Sequence, residues 1–62
     1  MGRRIKHLRE QQGLSQRALA ARARVSPGLI AQLELGLTRD VVTAVAQRLA
    51  KALGVPVGKL LE

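Results

Sequence analysis

Residues that start and stop helices recur so closely along this chain that no regular element in it can be long. Gly13, Gly36 and Gly54 suit the left-handed position that closes a helix. Ser15, Ser26 and Asp40 are side chains that accept a free N–H at a helix start, and Pro27 follows Ser26 where proline fits the first helical position. The pieces between these marks fall near or below the roughly 12–15 residues at which an isolated helix holds in water, so each must be held by packing on the others. Period-2 alternation is absent throughout, so no sheet is expected. No repeat, linker or low-complexity stretch divides the 62 residues, and residues 1–62 read as one domain.

The apolar spacing predicts an all-α, compact bundle of five short helices, over about residues 3–12, 16–23, 27–35, 41–53 and 57–61. Ile5, Leu8 and Gln12 keep one face of the first, and Leu14 follows as an apolar plug. Leu19, Ala20 and Ala23 share a face of the second, with Ala20 small enough for a crossing helix to come close. Ile30 and Leu33 form the stripe of the third. Val42, Val45, Ala46, Leu49, Ala52 and Leu53 give the fourth a strong helical period, starting from Asp40 as cap. Val55 then turns inward, and Leu60 and Leu61 close the core. Only Arg24 and Val25 separate Ala23 from Ser26, which is a helix-turn-helix spacing. With no Phe, Tyr, Trp or Cys, the core must be aliphatic and rich in Leu.

Charge narrows the function. The net charge is +7, and residues 1–24 carry seven of the eleven Lys and Arg against one acid, Glu10. A basic face on so small a domain points to a polyanion. Zero Cys and one His (His7) argue against a disulfide scaffold, a metal site and a thiol nucleophile. Scattered acids, the lack of a Gly-rich phosphate loop and too little bulk for a pocket of about 300 Å³ argue against an enzyme, a cofactor or a small-molecule ligand. The capped, glycine-broken pieces argue against a membrane-surface helix, and no run nears the ~18 apolar residues of a membrane span. No apolar stretch follows the N-terminal basic residues, so no secretory signal is read. The expected location is the cytoplasm, in association with the nucleoid.

The stretch from Gly13 through Leu14-Ser15-Gln16-Arg17-Ala18-Leu19-Ala20-Ala21-Arg22 to Ala23, then Val25-Ser26, then Ile30 to Gly36, resembles the phage repressor/Cro (XRE-like) type of helix-turn-helix domain. Residues 48–55 and Leu60-Leu61 resemble the same family's fourth and fifth helices, so the likeness runs from about Ile5 to Leu61. It implies a lambda-repressor-like bundle, double-stranded DNA as partner, the helix at 27–35 in the major groove, and homodimers on near-palindromic sites. Carried over by position, Ser26, Pro27, Gly28, Leu29 and Gln32 would face the bases. Gln16, Arg17, Arg24 and Arg39 would meet phosphates. Arg9 and Glu34 would form a structural ion pair. Leu35, Leu37 and Val41 read either as a dimer contact or as packing under the following loop.

Two departures from that family pattern carry consequences. Pro27, Gly28 and Leu29 stand where members usually place polar base readers. Small residues there let the helix start approach DNA and offer its N–H groups to phosphate, and Leu29 suits thymine methyls. Gln32 is then the main polar base reader, which implies weak sequence specificity or specificity from DNA shape. Arg24 replaces the usual glycine of the turn, read either as an extra phosphate contact or as a tolerated surface residue, at about 1 kcal/mol of strain unless the turn is reshaped. Arg3, Arg4 and Lys6 read either as an arm along DNA or as a solvated, frayed terminus, with His7 at the surface beside them. The expected function is that of a transcriptional regulator acting as a repressor. The competing reading is a protein-interaction module, an antitoxin or adaptor, using Leu29, Leu35 and Leu37.

Overall fold

The computed structural model describes residues 1–37 and 43–61. They form five helices: α1 (Gly2–Gln11), α2 (Gln16–Ala23), α3 (Pro27–Glu34), α4 (Thr43–Leu53) and α5 (Gly58–Leu61). The fold is all-helical, with no strand among the described residues. The α2 span agrees with the sequence reading, while α1 starts and ends one residue earlier, α3 stops one residue sooner and α5 begins one later. The expected start of α4 near 41, its Asp40 cap, and Val42 lie outside the described residues.

Four helices end in one way. After α1, Leu14 N–H bonds Arg9 C=O at 3.0 Å and Gly13 N–H bonds Glu10 C=O at 3.0 Å. The same pair of bonds closes α2 (Val25 to Ala20, Arg24 to Ala21), α3 (Leu37 to Gln32, Gly36 to Leu33) and α4 (Val55 to Ala50, Gly54 to Lys51). This is the Schellman pattern, which satisfies carbonyls that a helix end would otherwise leave bare. It needs a left-handed residue, and Gly13, Arg24, Gly36 and Gly54 all take positive φ. The residue after each is apolar. Leu14, Val25 and Val55 fold back onto the core, whereas Leu37 does not.

At the starts of α2 and α3, Ser15 Oγ accepts from Ala18 N–H (3.0 Å) and Ser26 Oγ from Leu29 N–H (3.1 Å). Such a cap stabilises by about 1 kcal/mol. Helices of eight residues with exposed starts need it.

Each helix contributes to one core. Ile5 of α1, Leu19 of α2, Ile30 and Leu33 of α3, Leu49 of α4 and Leu60 of α5 are fully enclosed. Ala20, Ala23, Ala46 and Ala50 are buried as well, and their small side chains let α2 and α4 approach closely. At Gly2 the first turn of α1 lies against the Leu33 carbonyl so tightly that a Cβ would collide with it. Arg3, Arg4 and Lys6 sit within α1 and are exposed, so the run is solvated as expected but helical rather than frayed. Leu61, expected in the core, is exposed because only Leu60 of that single turn faces inward.

Leu49 has no solvent exposure and sits on the helix that packs against α2, α1 and α5. Leu49→Ala is expected to cost about 2–5 kcal/mol, a large part of the stability of so small a domain. A chemical denaturation curve that shifts to a lower midpoint with little change in slope is the expected readout.

Candidate nucleic-acid interface

Glu34, the last residue of α3, receives three hydrogen bonds. Arg9 of α1 reaches it with both arms of its guanidinium, Nε to Oε2 at 2.7 Å and Nη2 to Oε1 at 2.9 Å. Gln16 Nε2 of α2 donates to Oε1 at 3.1 Å. Arg9 Nη1 also donates to the Leu14 carbonyl at 2.8 Å. The side chains of Arg9 and Glu34 are only 12% and 4% exposed, so this is a largely desolvated fork rather than a surface pair. Burial pushes the Glu34 carboxyl up, but the bonds from Arg9 and Gln16, with the charges of Arg9 and Lys6, outweigh it and hold the group below the ordinary carboxylate range. Hydrogen bonding to Glu34 raises the Arg9 guanidinium against the opposing pull of burial, so the pair stays ionised. The Arg9–Glu34 bond agrees with the sequence reading. Gln16's part in it was missed, and so was Gln12, whose Nε2 ties the end of α1 to the Leu53 carbonyl of α4 at 2.7 Å. Gln12 lies just past α1 and works as a polar tie rather than as part of the apolar face.

The latch fixes one end of α3, and the turn at 24–26 fixes the other. Arg24 has φ 59° and ψ 45°, so the turn keeps the backbone a glycine would take and is not reshaped around the arginine. An L-residue there costs about 1 kcal/mol. Past the turn, Ser26, Pro27 and Gly28 are exposed. Ser26 Oγ occupies the N–H of Leu29 and Pro27 has no N–H, which leaves the Gly28 N–H of the first turn for an external acceptor.

Gly28, Gln32 and Leu35 follow at four- and three-residue steps on one outward stripe, and all three are exposed. Leu29, read as base-facing, is half-buried and packs on the core, since it neighbours Ile30 and lies four residues before Leu33. Gln16 and Arg17 stand on the first turn of α2, Gln16 half-buried and Arg17 exposed. Arg24 lies at the other end of that helix, about 12 Å away along its axis. The structure therefore separates Arg24 from the other two. It instead places Arg24 beside Arg22, Arg48 and Lys51 in a basic groove of about 580 Å³. The spacing of Arg48 and Lys51, three apart on α4, carried that signal, but their position beside α2 is a tertiary fact. This groove and a second hollow of about 400 Å³ beside Met1, Arg3, Arg4 and His7 correct the expectation that nothing above about 300 Å³ fits on the molecule; both are open surface features. Arg39 and Val41 lie outside the described residues. Leu35 and Leu37 are 73% and 72% exposed, so they are not packed under a loop among the described residues.

Two short helices locked across a three-residue turn, with the second carrying an exposed stripe centred on Gln32 and a basic surround, define a DNA-binding helix-turn-helix module. The helix-turn-helix family model of the XRE, Cro/C1 type matches residues 5–60, and the chain belongs to that family. It is a DNA-binding domain of the transcription-regulator type. A search of the curated proteins finds no match. The family is a regulatory one, not typically enzymatic. Among the described residues, no helix is long and apolar enough to cross a membrane.

Two outcomes follow from this geometry. Because the folded-state carboxyl of Glu34 is depressed, its contribution is complete above the unfolded value near 4.5 and is lost as pH falls through the lower folded value. Glu34→Gln should therefore cost a few kcal/mol, about 3, at pH 7, and the gap from the parent should narrow below pH 4.5 in pH-resolved denaturation. Arg24→Gly should raise stability by about 1 kcal/mol in the same assay while weakening duplex binding.

Proposed function

We propose that the chain is a transcriptional repressor that binds double-stranded DNA as a homodimer, with α3 in the major groove. Its affinity comes mainly from phosphate contacts and its sequence preference is weak. The carrying observation is the exposed start and stripe of α3, where Ser26, Pro27, Gly28 and Gln32 are open to solvent while the Arg9–Glu34–Gln16 latch holds the end of the helix. A short residue at 28 lets the helix end come close to the backbone, with its N–H and helix dipole toward a phosphate. Gln32 reads a base edge, and Gln fits adenine best. A single reader of this kind discriminates by about 1–3 kcal/mol, far less than a full set.

Gln16, Arg17, Arg24 and Arg39 take the phosphate role. Gln16 gives one amide N–H to Glu34 and keeps the other for a phosphate, so the same residue ties the latch to the DNA backbone. Leu35 and Leu37, with Val41, form the contact between copies. Among the described residues, Leu37 is the one after a left-handed helix end that does not return to its own core, which suits burial against a second molecule.

Selection from a random-sequence duplex library near 0.1 M salt tests this reading. A weakly enriched near-palindrome is expected, and Gln32→Ala should change the preference at one position in each half-site while leaving the rest. An unchanged preference in that variant would mean that the reading face is assigned wrongly. No duplex binding by the folded protein would favour a protein partner on the Leu35 and Leu37 surface.

A further inference from the structure

Of the basic groove between α2 and α4, the reading above uses only Arg24. Arg22 and Arg24 come from the end of α2 and its turn, Arg48 and Lys51 from α4, and Ala23 and Ala52 complete the lining. All four cations are exposed. Among the described residues, no acid lines the groove and no ion pair involves any of the four. Elsewhere the chain does pair a cation that it holds against the fold, as Arg9 with Glu34 shows. Four like charges in one groove repel each other and oppose folding unless an anion joins them.

Cations near helix C-termini are favoured by the helix dipole, and that accounts for Arg22 and Lys51 in the last turns of α2 and α4. It does not account for Arg48, which lies in the middle of α4 and beyond the reach of that effect. Nor does it account for Arg24, which holds a left-handed backbone angle that the other three helix ends give to glycine.

We propose that this groove binds DNA phosphate backbone adjoining the segment that α3 reads. The inference rests on the DNA-binding reading above. Arg24 stands two residues before Ser26, the cap of α3, and two residues of chain span at most about 7 Å. The groove thus begins where the recognition helix begins. Every lining side chain is a cationic donor or a methyl group. The lining has no aromatic platform and no acidic or amide reader, and four cations along one groove suit a run of phosphates. Free oligophosphates share that chemistry, but the continuity with α3 favours the backbone of a duplex. Arg22, Arg48 and Lys51 then supply sequence-independent affinity that a recognition helix poor in base readers needs.

The test compares Arg48→Gln and Lys51→Gln, singly and together, with Lys59→Gln, which removes one charge outside the groove. Duplex affinity is measured across salt concentrations, alongside thermal melting and binding of inorganic tripolyphosphate. The double variant should bind duplex about tenfold more weakly, with a salt slope shallower by about 1.8, an unaltered sequence preference and a melting temperature equal to or above the parent's. Lys59→Gln should change duplex binding little. An equal loss in Lys59→Gln would overturn the proposal in favour of net charge alone. So would lower melting temperature with intact affinity, or lost tripolyphosphate binding with duplex binding intact. Those outcomes leave the DNA-binding reading standing, whereas a parent protein that binds no duplex removes both.

Discussion

The fold turns on one bidentate ion pair. Arg9 and Glu34 are 25 residues apart, and their fork joins the end of α1 to the end of α3. Gln16 brings the start of α2 to the same carboxylate, and the Leu14 carbonyl closes the remaining arm of Arg9. An aliphatic core supplies cohesion but little direction, because Leu, Ile and Ala side chains fill space without fixing an angle. In a chain with no aromatic side chain, this polar cluster is what sets how α1, α2 and α3 meet. Its groups are largely desolvated yet satisfied, and no buried side-chain nitrogen or oxygen among the described residues lacks a partner. A half-satisfied version would be worse than an apolar one.

The same cluster links fold to function. Glu34 and Gln32 share α3, so the clamp on one face of the helix sets the direction of the other. Gln16 belongs to the clamp through its bond to Glu34, and in the proposed reading its second amide N–H meets a phosphate. At the far end, the turn with Arg24 keeps its geometry despite a residue that disfavours it, which places a charge where glycine would be the relaxed choice. Stability and charge are in conflict at that position, and the chain keeps the charge.

The helices were legible because their boundaries are chemical. Ser15, Ser26-Pro27, Gly13, Gly36 and Gly54 mark the ends through caps and left-handed angles that depend on local sequence. The buried faces followed from helical period, as Leu19, Ala20, Ala23, Ile30 and Leu33 show. Leu61 and Leu29 were harder, since a single turn or a helix edge does not carry enough period to say which of two adjacent apolar residues faces inward. The Arg9–Glu34 pair was visible only through the family likeness. The parts of Gln12 and Gln16, and the meeting of Arg22 and Arg24 with Arg48 and Lys51, depend on which helices cross, and no spacing within one helix encodes that.

The central claim is that this domain gains its affinity from phosphates and little from bases. Its most direct test is the affinity for an enriched site and for an unrelated duplex of equal length, each followed from low to moderate salt. The account predicts two steep and nearly parallel salt dependences, with the enriched site favoured by less than about 10³, the lower bound of ordinary operator discrimination. A shallow dependence, or a preference above about 10⁵, would contradict it and assign the binding energy to base contacts instead.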